Sequence, residues 1–81
     1  MAELKSKYIE AYHDGYRHKN PVYAIWNKRS KDKMGEISWY VPWRQFVFAP
    51  EPYTIYNKGC LDDLKSFMHD LLAEKLVRVK G

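Results

Sequence analysis

The chain has 81 residues, of which 46% are hydrophobic and 16% aromatic, and its 14 Lys and Arg residues exceed its 10 Asp and Glu residues. A chain of this length forms a single domain whose core needs large side chains. The net charge of +4 favours acidic partners such as nucleic acid and argues against a mimic of DNA, which needs an excess of carboxylates.

The compartment is predicted from the one cysteine and from the hydropathy pattern. Cys60 is the sole cysteine, which excludes an intramolecular disulfide and fits a reducing environment. The first residues contain no continuous apolar run of the kind found in signal peptides. No window approaches the ~18 apolar residues of a membrane span. We therefore predict a cytoplasmic protein.

The N-terminal segment, residues 3–14, carries apolar side chains at every fourth position. This spacing predicts an amphipathic helix of about three turns, closed by Gly15. The stripe consists of Leu4, Tyr8 and Tyr12. A polar connector follows and ends at Asn20, where Pro21 disfavours helix. Residues 1–20 are thus predicted to form a helix and a connector.

From Val22 the sequence changes to short β-branched and aromatic runs, which are typical of strands. The runs read VYAIWNKR, EISWYV, WRQFVFA and YTIYN. Between the first two, SKDKMG with Gly35 at its end predicts a hairpin turn. Pro42 predicts a bend because it cannot donate to a ladder. Residues 21–58 are therefore predicted to form an antiparallel sheet of three or four strands.

The C-terminal segment, residues 59–77, has the clearest helical pattern, CLDDLKSFMHDLLAEKL. Its apolar stripe is Leu61, Leu64, Met68, Leu71, Leu72 and Lys75 or Leu76, widened by Phe67. The tail LVRVKG either frays or adds an edge strand through Val77 and Val79. The predicted fold class is α+β: an N-terminal helix, an antiparallel sheet, and a C-terminal amphipathic helix packed on the sheet.

The mid-chain stretch WYVPWRQFVFAPEPY is aromatic at six of its fifteen positions. Both faces of its strand are apolar, and one C-terminal helix covers only one face of a sheet. Under one interpretation the N-terminal helix covers the second face, and the aromatic residues are core: Trp39, Trp43, Phe46 and Phe48. Under the other, part of this surface is displayed for recognition.

The displayed surface would combine aromatic and basic side chains. Its candidate residues are Tyr40, Trp43, Arg44 and Gln45, beside the basic hairpin residues Lys28, Arg29, Lys31 and Lys33. Aromatic rings that stack on bases, next to cations that meet phosphates, are typical of proteins that hold single-stranded nucleic acid. Trp, Tyr and Arg also dominate protein–protein hot spots. The surface therefore predicts binding of nucleic acid or, alternatively, of a protein.

Catalysis is not indicated by any set of titratable residues. Cys60 opens the C-terminal helix and His69 lies nine residues further on, more than two turns away, so the thiol and imidazole are not expected to hydrogen-bond. His13 and His18 do not combine with His69 in a metal-ligand spacing. We predict a non-catalytic protein without metal or cofactor.

Gly35–Pro50, GEISWYVPWRQFVFAP, followed by NKGCLDDL, resembles a group of small phage and prophage proteins. Their pattern is Gly-Glu-Ile-x-Trp-Tyr-Gly-Pro-Trp-Arg-x-Tyr-x-Phe-x-Pro, then Asn, Cys-Leu and an amphipathic helix. The matching positions are Gly35, Glu36, Ile37, Trp39, Tyr40, Pro42, Trp43, Arg44, Phe48, Pro50, Asn57, Cys60 and Leu61. Two positions depart from the pattern. Val41 replaces a glycine, which argues against a left-handed turn residue before Pro42. Phe46 replaces a tyrosine.

The resemblance implies an accessory protein of a mobile element that acts on nucleic acid or on a host protein. Three functions stay open: binding of nucleic acid, inhibition or modulation of a host protein such as a defence component, and sequestration of a nucleotide signal in an aromatic pocket. An uncovered sheet face or edge would favour a homodimer.

Overall fold

The computed structural model describes residues 3–80, with side chains up to Leu76, and shows an α+β fold. Four antiparallel strands form one sheet in sequence order, and one helix follows them. The elements are β1 (Ile9–Arg17), β2 (Asn20–Asn27), β3 (Lys33–Tyr40), β4 (Gln45–Pro50) and α1 (Lys58–Lys80), with a 3₁₀ turn at Val41–Trp43 between β3 and β4. The predicted antiparallel sheet and C-terminal helix are confirmed.

The predicted N-terminal helix is wrong, because this segment supplies β1. Ile9 and Ala11 pair with Asn27 and Ile25 of β2, and Ile9 is fully buried. Tyr12, which the helical stripe places on the buried side, is 54% exposed. Alternate residues of a strand point to opposite faces, and here that alternation aligns the apolar side chains with the core. The sheet therefore begins at Ile9 rather than at residue 21.

The predicted polar connector is a tight β-hairpin turn. Arg17 pairs with Asn20, so only His18 and Lys19 lie in the loop. Both have left-handed backbones, with φ of 52° and 65°. Successive left-handed residues match the twist of the flanking strands, which is why such turns favour hairpins.

The core is a single layer of apolar side chains between one sheet face and α1. Its buried members are Ile9, Ile25, Met34, Ile37, Cys60, Leu64, Phe67 and Leu71. The helix contributes residues spaced by four, three and four, as an amphipathic helix requires. Leu61 and Leu76, both predicted in the stripe, are each 52% exposed because the buried stripe runs through Leu64 and Phe67. The side-chain oxygen of Asn57 accepts the Cys60 N–H at 2.8 Å and caps the helix.

The segment YTIYN, a predicted strand, is a loop that crosses from β4 to α1. Its Tyr56 hydroxyl donates to the Met34 carbonyl, and its ring packs edge-on to Phe48 at 5.4 Å. Beyond Leu76 the backbone of α1 continues to Lys80, so the predicted alternative of an edge strand in the tail is wrong. Gly81 lies outside the described residues.

Gly35, predicted to end a turn, lies inside β3 opposite Pro50. It is buried, and a Cβ atom built there would lie 2.5 Å from the Ala49 carbonyl oxygen and 2.8 Å from the Phe48 ring. An aromatic ring packed over a strand glycine is a known means of stabilising such a position. The absence of a side chain at Gly35 therefore allows β4 and the Phe48 ring to pack closely against β3.

Gly35→Ala is expected to lower the free energy of unfolding by about 2–3 kcal/mol, because the added methyl must displace the backbone of β4. Urea denaturation followed by circular dichroism measures the loss. Gly15→Ala is the comparison, since nothing lies within 4 Å of its Cβ position and its φ is +83°; left-handed strain there costs about 1–2 kcal/mol. A smaller loss at residue 35 than at residue 15 would contradict the packing argument.

Candidate functional site

The sheet face that points away from α1 is hereafter called the open face. Within residues 3–80, no helix or strand lies over it, since α1 packs on the opposite side. Strand alternation places on it the side chains of Glu10, Tyr12, Arg17, Val22, Ala24, Trp26, Lys33, Glu36, Ser38, Tyr40, Gln45, Val47 and Ala49. The open face therefore carries charged and polar side chains among its apolar and aromatic ones.

Ion pairs cross the open face from strand to strand. The guanidinium of Arg17 on β1 lies 3.0 Å from the Glu36 carboxylate on β3, so its side chain must pass over β2. Val22 and Ala24 of β2 are only 4% and 6% exposed although they lie outside the main core. The long Arg17 side chain thus covers small apolar residues while its charge stays near water.

Three aromatic residues lie on this face, one on each of three neighbouring strands: Tyr12, Trp26 and Tyr40. Tyr12 is 54% and Tyr40 42% exposed, and Trp26 is half-buried. The Glu10 carboxylate accepts the Tyr12 hydroxyl and raises the pKa of that phenol above its usual value of 10.0. Tyr12 therefore stays protonated at neutral pH and presents an uncharged ring.

The turn between β2 and β3 is built around Asn27. The side-chain oxygen of Asn27 accepts the N–H groups of Arg29 at 2.8 Å and Ser30 at 2.9 Å, a turn that asparagine forms readily. Lys31 follows with a left-handed φ of 63°. The turn projects its basic side chains into solvent.

A groove of about 630 Å³ opens beside this turn and is hereafter called the basic groove. Its lining residues are Lys7, Tyr8, Asn27, Lys28, Arg29 and Ser30. Three of them are cations, and among the described residues no carboxylate lines the groove. Lys7 lies 5.4 Å from the Tyr8 ring centroid, and Lys28 donates to the Ser6 carbonyl. Such a group of cations is suited to an anion.

Lys31 and Lys33, the other two predicted basic residues, lie at the same end of the sheet. Lys31 pairs with Glu10 at 3.8 Å and Lys33 with Glu36 at 4.0 Å. Both distances are long for ion pairs, and exposed pairs of this kind contribute little. The two ammonium groups therefore remain accessible to another anion.

The turn between β3 and β4 carries the second group of predicted residues and is hereafter called the aromatic turn (Tyr40–Gln45). Tyr40 and Trp43 pack edge to face at 5.0 Å, and Trp43 is 67% exposed. The left-handed residue of this turn is Arg44, with φ of 51°. Val41 has no positive φ, so its replacement of the pattern's glycine creates no strain.

The eight predicted site residues fall into two groups at opposite ends of β3. Lys28, Arg29, Lys31 and Lys33 lie at one end, and Tyr40, Trp43, Arg44 and Gln45 at the other. At ~3.3 Å per residue, Lys33 and Tyr40 are roughly 23 Å apart along the strand. The structure does not bring them into one compact site; the open face connects them.

Three residues of the candidate site are not identified from the sequence: Lys7 in the basic groove, and Tyr12 and Trp26 on the open face. The helical spacing assigns Tyr12 to a helix, although the alternation of Ile9 and Ala11 with Glu10 and Tyr12 is a usable strand signal. Trp26 is predicted correctly in a strand, but its face depends on the register with β3. Lys7 becomes relevant only because β1 brings it beside the β2–β3 turn.

A smaller cleft of about 210 Å³ lies near the aromatic turn, between α1 and the sheet. Its lining residues are Lys19, Asn20, Pro21, Tyr23, Phe46, Leu71, Glu74 and Lys75. The Lys75 ammonium donates to the Asn20 side chain and lies 4.4 Å from the Trp39 ring centroid. Ligand pockets usually measure ~300–1,000 Å³, so this cleft is small for a nucleotide.

The described residues contain no group of three His, Cys, Asp or Glu side chains able to hold a metal ion. Cys60 is buried and His69 exposed. In the part of the chain that the structure describes, no helix has the length and apolarity needed to cross a membrane. Comparisons with protein-family models, curated proteins and solved structures found no match.

Trp43→Phe is expected to reduce acrylamide quenching of tryptophan fluorescence strongly, because Trp43 is 67% exposed. The same substitution should change the free energy of unfolding by less than about 0.5 kcal/mol, as is usual for exposed positions. Trp39→Phe is the matched variant. Trp39 packs on Phe46 at 5.2 Å and under Lys75, so its loss costs about 1–2 kcal/mol. Equal destabilisation by the two variants would show that Trp43 is a core residue.

Proposed function

We propose that this protein is a non-catalytic binding module for single-stranded nucleic acid that acts in the cytoplasm. The observation that supports the proposal is the basic groove, three cations without a carboxylate, which lies at the end of the sheet beside the start of α1, next to an uncovered sheet face that carries aromatic side chains. Phosphates would occupy the groove, and bases would lie on the open face. The resemblance to phage and prophage proteins fits an accessory role in a mobile element.

The arrangement of charge favours a single strand over a duplex. The carboxylates of the open face are each matched by cations, Glu10 by Lys31 and Glu36 by Arg17 and Lys33, so the face offers no excess of positive charge to the regularly spaced phosphates of a duplex laid across it. In a single strand the bases are free to turn towards the protein, and uncharged rings can stack on aromatic side chains while phosphates follow basic ones. The distance of roughly 23 Å along β3 suits a segment of a few nucleotides.

Arg29 offers the cleanest test of the phosphate contact. In the described part of the chain its guanidinium has no ion-pair partner, so Arg29→Ala removes charge without breaking an internal contact. We expect affinity for a mixed-sequence single-stranded oligonucleotide to fall about three- to tenfold and the slope of log K against log salt to become shallower by about 0.7. Fluorescence anisotropy at several salt concentrations measures both.

Lys65→Ala is the matched control, since Lys65 is an exposed cation on α1, away from the open face. It should leave both the affinity and the slope within error of the wild type. Absence of binding by the wild type to single- and double-stranded oligonucleotides at low salt would refute the proposal. Equal losses for the two variants would show attraction by net charge alone.

Base stacking is tested separately with Tyr12→Leu, which keeps an apolar side chain on β1 but removes the ring. Stacking contributes ~1–3 kcal/mol per base, so affinity should fall about five- to 150-fold while the salt slope stays unchanged. An unchanged affinity would mean that bases do not lie on this part of the open face.

A second function is favoured by the exposure of the aromatic turn. Tyr40, Val41 and Trp43 are 42%, 55% and 67% exposed, and exposed Trp and Tyr beside Arg44 are typical of protein hot spots. Under this proposal the protein modulates a host protein. Affinity capture with the wild type and with Trp43→Ala, compared by mass spectrometry, tests it: a partner held by this turn is lost with the variant.

The 210 Å³ cleft is smaller than usual nucleotide sites, so a nucleotide-signal sponge would use the basic groove of about 630 Å³, where the Tyr8 ring lies beside three cations. A thermal-shift screen with cyclic nucleotides distinguishes it, because a bound ligand raises the melting temperature.

A further inference from the structure

The two edges of the sheet differ in how they are protected. β1 and β4 form the edges, and an unprotected edge strand can pair with another strand. β1 has a bulge between His13 and Tyr16, a left-handed Gly15, and charged residues along it. These features hinder the addition of a strand. β4, QFVFAP, has no bulge in its register with β3 and no charged residue.

The hydrogen-bonding groups that β4 leaves free follow from its register. The N–H of Glu51 donates to the carbonyl of Met34 directly opposite. Because residues of an antiparallel strand bond alternately to either side, Ala49, Val47 and Gln45 bond inward to β3. The backbone groups of Phe46 and Phe48 therefore point outward, and in residues 3–80 no further strand lies beside them. Pro50 also faces outward, where its missing N–H costs nothing.

We propose that β4 pairs antiparallel with β4 of a second copy of this chain, with Val47 at the two-fold axis. In this register the N–H of Phe46 donates to the carbonyl of Phe48 in the other copy, and the N–H of Phe48 to the carbonyl of Phe46. Centring the pair on Phe48 instead would place the carbonyl of Phe46 opposite Pro50, which has no N–H. The Val47 register satisfies every outward group of both phenylalanines.

Charge complementarity at the strand ends points to a second copy as the occupant. Arg44 precedes β4 and Glu51 follows it, and both are exposed. Within the described residues neither forms a salt bridge. In the Val47 register Arg44 of each copy lies opposite Pro50 of the other, one position from Glu51, within reach of the long Arg44 side chain. A strand pair of this length buries less than ~1,200 Å², the range of weak complexes, so we expect a dimer that dissociates on dilution.

Sedimentation equilibrium of the full chain over about 5–500 µM tests the proposal, and we expect a reversible monomer–dimer equilibrium. Val47→Lys places two ammonium groups opposite each other at the axis, where directly opposed like charges destabilise pairing, and should weaken association about tenfold or more. Ala49→Lys is the matched control on the same face of β4. In the proposed register it lies opposite Gln45, so it should leave the Kd within about twofold.

The end charges give an independent test that does not depend on Val47. Arg44→Glu and Glu51→Arg should each weaken the dimer about five- to tenfold, and the double variant should restore it because the pairing of charges is regained. A wild type that stays monomeric over the whole concentration range overturns the proposal; β4 would then be available to a strand of a different protein. A dimer that resists Val47→Lys, or that loses as much from Ala49→Lys, also overturns it. Circular dichroism of each variant verifies that the fold is kept.

Discussion

One layer of side chains, between a single helix and one sheet face, holds this chain together. Ile9, Ile25 and Ile37 on three neighbouring strands are fully buried, and Leu64 of α1 covers them. Because α1 is the only α-helix among residues 3–80, the open face is left in contact with water, and its own side chains must shield the apolar residues on it. It does so with Arg17 laid over β2 and with carboxylates that pair with lysines. The open face, and with it the proposed recognition surface, is a consequence of this one-sided core.

The sequence predicts the later elements better than the first one for a physical reason. α1 combines a strong 3.6-residue pattern with the Asn57 cap, both local features. β1 has a weaker local signal: Leu4, Tyr8 and Tyr12 match a helix, whereas Ile9 and Ala11 match a strand. Pairing with β2 decides between them, since it buries Ile9 completely. The hairpin turn predicted over SKDKMG is present, but β3 already begins at Lys33, so only the placement of Gly35 in the turn is wrong, because the role of this glycine depends on the Phe48 ring of the next strand.

The display of Trp43 and Arg44 is only one of two open interpretations of the sequence, because WRQFVFA is predicted as a strand from Trp43 onwards; the structure places Trp43 in a 3₁₀ turn and begins β4 at Gln45. The separation of these residues from the basic ones already follows from the predicted order, since residues that precede and follow one extended strand lie at its opposite ends. Lys28 and Trp43 belong to one aromatic and basic part of the sequence, yet they lie at opposite ends of β3. Lys7 joins the basic groove only through the pairing of β1 with β2.

The proposed dimer and the proposed nucleic-acid surface are geometrically compatible. A two-fold axis at Val47, perpendicular to the sheet, makes the two sheets continuous and keeps both open faces on the same side. The basic groove lies beside the start of β1 and the β2–β3 turn, so it stays clear of the β4–β4 contact. With strands ~4.8 Å apart, the two outer strands of the joined sheet would be separated by roughly 34 Å. Two such grooves in one dimer would raise the apparent affinity for a strand long enough to reach both, because the second contact becomes intramolecular. Short oligonucleotides would gain nothing from dimerisation, so the dependence of affinity on oligonucleotide length separates the contribution of the dimer from that of the single groove.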